Sequence, residues 1–178
     1  MSEERLDEEQ QISEERESDE SRLEAVGLLR TIGELPTLHP AITCELTVSA
    51  RQAIEIMQRE RIGCVLVIDR DRLVGVLTER DVLTKVAARD VDIDRLPVAE
   101  LMTSNPECLS ADNELVYALN QMSVGGYRHV PLIDDEGRPT GVVSVRDIID
   151  YLASLFAQYV LNLPPSPGHG TPRSPEGA

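Results

Sequence analysis

The chain has 178 residues and a formal net charge of −15, with no tryptophan, one phenylalanine and four tyrosines. That length suits one compact domain or two small units sharing a core, and so few aromatics leave Val, Ile, Leu and Ala to build it. Nonspecific nucleic-acid binding needs clustered basic charge, so the balance argues against a DNA or RNA partner. No apolar run approaches the ~20 residues that span a bilayer.

Residues 1–22 carry ten acidic and three basic side chains and almost nothing apolar. Such a segment cannot bury enough surface to order itself and reads as an acidic disordered head. It is not basic-then-apolar, so it does not read as a secretory leader. Leu23, Val26, Leu29 and Ile32 then predict a leading amphipathic helix. At the far end, residues 163–178 hold five prolines and three glycines and predict a disordered tail.

The block between is duplicated. Ala50, Ala53, Ile54 and Met57 recur at i, i+3, i+4 and i+7, and Leu115, Ala118, Leu119 and Met122 repeat the pattern. Each helix is followed by a short apolar run (CVLVID at 64–69, HVPLID at 129–134), a turn, and a second run at 73–77 or 141–145. These read as strands joined in hairpins. A further helix follows each hairpin, the second extending over 147–162. The prediction is an α+β fold of two βαββα units, 23–98 with its leading helix and 99–162, joined by the linker around Leu101–Pro106. One such unit is too small to stand alone, so the two should pack face to face.

Inside the repeats one phrase recurs: GVLTERD at 75–81 and GVVSVRD at 141–147. A hydroxyl residue three positions before an Asp at a strand-to-helix junction approximates a capping box, worth about 1 kcal/mol. The same pattern also suits a nucleotide: helix N–H groups for a phosphate, a hydroxyl and an Arg beside them, and a carboxylate that accepts from both hydroxyls of a ribose. Gly75 and Gly141 would let the strand backbone approach a flat base. Spacing alone does not choose between these readings.

The repeat resembles the cystathionine-beta-synthase (CBS) domain. The carriers are the G-x-x-[TS]-x-x-D phrase in both copies, the linker ELMTSNPECL, the A-x-x-x-M helices and the strand RHVPLID, over roughly 33–155. The resemblance implies a tandem pair that dimerises into a disc and holds adenosine nucleotides (AMP, ADP, ATP, sometimes S-adenosylmethionine or a dinucleotide) in clefts between repeats. By position, one cleft would take Thr78, Arg80 and Asp81 with Arg128, His129 and the backbone near Cys108. The other would take Ser144, Arg146 and Asp147 with Thr43 and the strand near Cys64. Arg128 and His129 align with Gly63 and Cys64, so the first cleft is expected to bind more strongly.

No GxSxG, HExxH or Walker loop is present, and Asp81 and Asp147 fall in separate sites, so no catalytic residue is predicted. The expectation is a regulatory ligand-sensing module, with no required cofactor and no membrane partner. The alternative is a dimerisation module with degenerate sites. Redox or metal sensing by Cys44, Cys64 and Cys108 is disfavoured, because they lack CxxC spacing and His39, His129 and His169 are not arrayed with them. Three unpaired thiols suit a reducing cytoplasm, and a single lysine among 17 basic residues points to a GC-rich bacterial source.

Overall fold

The structure, a computed structural model, describes Ser21 and residues 27–86 and 91–157. The rest of the acidic head, the tail, Leu23 and Val26 of the leading segment, and positions 158–162 of the last helix lie outside the described residues.

A 3₁₀ turn, Ile32–Glu34, precedes β1 (His39–Pro40) and β2 (Thr43–Glu45). Then come α1 (Ala50–Glu60), β3 (Cys64–Asp69), β4 (Arg72–Thr78) and α2 (Glu79–Lys85). The connection carries α3 (Val98–Leu101) and β5 (Thr103–Ser104). The second unit has α4 (Leu115–Gly125), β6 (His129–Ile133), β7 (Pro139–Ser144) and α5 (Val145–Leu155). The βαββα order holds in the first unit. In the second, the opening strand is reduced to a parallel bridge between Leu109 and Leu132.

Sequence explains the local elements. Ser49 caps α1 through a reciprocal box with Gln52, Ala50, Ala53 and Met57 turn inward, and Arg61 ends the helix in the left-handed region. Gly126 ends α4 at φ 69°, where a missing β-carbon removes the strain. In the first hairpin Arg70 and Asp71 both hold positive φ, at 50° and 62°, as a two-residue mirror-image turn demands. Asp tolerates that region better than Arg but less well than the glycine such a turn prefers at its second position, so Asp71→Gly should raise stability by up to about 1 kcal/mol, read as a higher urea midpoint at unchanged m.

The sheets run β2-β3-β4-β5 and β1-β7-β6. Each repeat therefore receives the strand that precedes the other: β1 pairs with β7, and β5 pairs with β4. The segment ahead of the first repeat likewise packs on the second. Leu28, Ile32 and Leu35 share a core with Leu115, Leu132 and Ile148, and Ile32 N–H donates to Asn113 O at 2.8 Å. The division at residue 98 drawn from sequence separates two stretches that are interleaved in space.

This exchange also explains the repeated glycine, and not as the sequence suggested. A β-carbon on Gly75 would lie 2.3 Å from Met102 Sδ, and one on Gly141 would lie 3.0 Å from His39 O. Gly141 admits the incoming strand and Gly75 the Met102 side chain just ahead of β5, rather than a ligand base, and each glycine follows a register shift in its hairpin. A third buried cluster, Cys64, Leu66 and Val76 against Ala41, Leu73 and Val142, joins the two sheets. Among the described residues no helix is long and apolar enough to cross a membrane.

Candidate functional site

Thr78 closes β4 opposite Cys64, and Ser144 closes β7 opposite His129. Each hydroxyl residue caps the helix that follows. Asp81 Oδ2 accepts from Thr78 N (3.0 Å) and Thr78 Oγ1 (2.6 Å), while Asp81 N donates back to Thr78 Oγ1 at 3.2 Å. Ser144 and Asp147 repeat the arrangement at 2.8, 2.6 and 3.2 Å. The capping reading is thus fully built, in both copies.

The boxes use helix-end amides that sequence had assigned to a phosphate. Asp81 N–H goes to the Thr78 hydroxyl and Glu79 N–H to Gly63 O (3.1 Å); Asp147 N–H and Val145 N–H are spent in the same way. An anion in this region therefore depends on side chains. The second oxygen of each carboxylate stays outside the box: Asp81 Oδ1 lies 2.8 Å from Lys85 Nζ, and Asp147 Oδ1 lies 3.7 Å from His39 Nε2.

Five of the predicted site residues surround one cavity of about 490 Å³: Thr78, Arg80 and Asp81 on one wall, Arg128 and His129 on the other. Val76, Pro106 and Pro131 add apolar surface. Arg80 crosses between the repeats, its Nη1 donating to Gly126 O at 3.1 Å. Cys108 itself is half-buried, with Sγ donating to Pro106 O at 3.2 Å, and its neighbours Pro106 and Glu107 line the cavity instead.

The second predicted set is only partly assembled. Ser144 and Asp147 are together, but Arg146 is 88% exposed and pairs with Asp150 at 3.5 Å. Thr43 sits in β2 in register with Leu66, and the buried Cys64 belongs to the cluster between the sheets. His39, which the sequence placed in neither cleft, is the group that meets Asp147.

Sequence reasoning also missed Glu79, Glu107 and Tyr127, all of which line the cavity. Glu79 had a signal: it stands inside the repeated phrase where the other copy has Val145. Tyr127 donates its hydroxyl to Glu107 Oε2 at 2.6 Å, and burial, aided by that carboxylate, pushes its phenol up to about 12. Its ring fills the space over Gly125, where a β-carbon would lie 2.1 Å away.

Burial, and then the Arg128 charge, hold the His129 imidazole below its ordinary value, against the opposing pull of Glu79 and Asp147. Between that lowered value and about 6.5 the unfolded chain binds more protons than the native one, so stability rises with pH and is lost as pH falls below about 6.5. In His129→Gln the urea midpoint should vary less between pH 7 and 5 than in the parent. Equal slopes would contradict this.

Burial also raises the thiols, Cys44 to about 11 and Cys64 to about 12, with Cys108 shifted the same way. Little reactive thiolate forms at neutral pH. Among the described residues no group of three or more His, Cys, Asp or Glu side chains is placed to hold a metal.

The CBS domain pattern matches the chain twice, over residues 32–88 and 98–154. The chain belongs to the CBS domain family. A 17.7 kDa protein from the bps2 3′ region of Acidianus ambivalens is 36% identical over 102 residues, 57% of this chain and 60% of that protein. The chain thus spans less than two thirds of that relative's length. Among solved structures, the CBS domain protein PAE2072 of Pyrobaculum aerophilum, complexed with AMP, is 28% identical with a TM-score of 0.62, covering 70% of this chain and 99% of that one. The CBS domain pair of protein MJ0100, in complex with 5-methylthioadenosine and S-adenosyl-L-methionine, is 25% identical with a TM-score of 0.61, covering 68% and 98%. As a tandem CBS pair the chain has the α+β architecture of these neighbours.

Proposed function

We propose that this CBS pair is a non-catalytic regulatory module that binds an adenosine nucleotide in the cleft holding Asp81 and Arg128. The observation that carries the reading is one cavity lined by a capped Thr–Asp pair from the first repeat and by an arginine and a histidine from the second. Asp81 Oδ1 lies outside the capping box and is the oxygen for the ribose diol; Arg128 takes the phosphate. Val76, Pro106 and Pro131 offer the base an apolar surface. The adenosine ligands of the two neighbouring structures support this choice of ligand class. The second cleft is the weaker one, since Arg146 faces away from it and His39 already meets its carboxylate.

Micromolar affinity corresponds to about −8 kcal/mol, within reach of a few charge-assisted hydrogen bonds and base burial. A thermal-shift panel of nucleotides tests the proposal: adenosine compounds at 100 times Kd stabilise by about 2.7 kcal/mol, and pyrimidine nucleotides do not. No shift with any adenosine compound would sink it. That result would favour a dimerisation module, a reading with its own support. Leu83, Val124 and Ile149 are exposed at 66%, 81% and 57%, on helices α2, α4 and α5. A second copy of the chain covers these apolar residues in our reading, whichever role the cleft plays.

A further inference from the structure

We infer that the cleft selects an adenosine compound with a single phosphate, and that Glu79 and Glu107 turn away di- and triphosphate tails. The inference rests on the nucleotide reading above and adds a charge limit to it. Two guanidiniums line the cavity, Arg80 and Arg128, and three carboxylates line it with them, Glu79, Asp81 and Glu107. Asp81 is offset by Lys85 at 2.8 Å. Among the described residues neither Glu79 nor Glu107 forms an ion pair.

Of these two carboxylates Glu107 is held in place, and Glu79 stands beside His129. Glu107 accepts the Tyr127 hydroxyl at 2.6 Å. Glu79 Oε2 and His129 Nε2 both lie over Gly63, at 3.7 and 3.1 Å from where a β-carbon there would sit. Arg80 is already partly engaged with Gly126 O.

A phosphate monoester dianion therefore matches the two guanidiniums the cleft provides. Each further phosphate adds negative charge with no further guanidinium to receive it, in a space of about 490 Å³ whose remaining charged groups are carboxylates. At an effective dielectric near 20, two like charges roughly 10 Å apart repel by an amount worth about tenfold in affinity.

Isothermal titration of the full chain with AMP, ADP, ATP and S-adenosylmethionine, in EDTA and again with Mg²⁺, tests the limit. The expected result is an affinity falling at least tenfold from AMP to ATP in EDTA (~10-fold per uncompensated charge), and a smaller fall with Mg²⁺, which neutralises two of the added charges. Combining Glu79→Gln with Glu107→Gln, which keeps an acceptor for Tyr127, should narrow that gap to under about threefold, mainly by tightening ATP. ATP binding as tightly as AMP in EDTA overturns the charge limit and leaves the nucleotide site standing. S-adenosylmethionine binding more tightly than AMP also overturns it, since the two carboxylates would then serve a cationic ligand. An unchanged gap in the double variant removes Glu79 and Glu107 from the discrimination. Absence of binding by all four compounds ends the nucleotide reading itself.

Discussion

Ile32→Ala should cost about 2–5 kcal/mol and damage the second repeat, although Ile32 stands ahead of the first. The side chain is fully buried among residues of α4, β6 and α5. The backbone around it is tied to the same unit: Gly33 N–H donates to Ala111 O at 2.8 Å, and Leu115 N–H donates to Arg30 O at 2.9 Å. Little can move in to fill the space left by the lost methylene groups. Hydrogen exchange reads the location. Amides of α4, β6 and β7 should lose protection first, whereas a loss concentrated in α1, β3 and β4 would contradict the interleaved packing.

Asp81→Ala carries the second large effect. It removes one or two charge-assisted hydrogen bonds to the ligand, about 1.5–3 kcal/mol each, so AMP affinity should fall by about 10-fold to 100-fold. The same change breaks the capping box and lowers stability by about 1 kcal/mol. Asp81→Asn separates the two roles. The amide retains an oxygen that can accept from Thr78 N, so most of the stability should return, but the charge is gone and affinity should stay low. If titration shows that both variants bind AMP like the parent, Asp81 is a cap and nothing more. Asp147→Ala provides the contrast. Its side chain is only 5% exposed, so its loss should tell on stability more than on AMP binding.

Much of this molecule was legible in the sequence because the features concerned are local or duplicated. The i, i+3, i+4, i+7 faces of α1 and α4 and the hairpin runs each lie within a dozen residues. The Thr78–Asp81 and Ser144–Asp147 boxes likewise need only a three-residue spacing. The meeting of Asp81 with Arg128 and His129 came from family resemblance rather than periodicity, and one cavity does bring them together. What escaped was long-range. Strands β1 and β5 have two residues each, too short to show alternation, and their partners lie over a hundred positions away in one case (His39 with Val142). Gly75 and Gly141 were therefore given to a ligand when the Met102 side chain and the β1 backbone occupy the space. The spent Glu79 and Val145 amides at α2 and α5 could not be foreseen either, since the Gly63 and Arg128 carbonyls that take them lie just ahead of the adjoining strands β3 and β6.

The exchanged edge strands bear on how the gene product could be divided. Cutting the chain between α2 and α3 would give two fragments, each lacking one margin of its own sheet and carrying the missing margin of the other. Apart, each would expose a ragged, sticky border. Mixed, they would have every reason to reassemble, which makes this small protein a natural candidate for a split reporter whose halves rejoin by mutual lending.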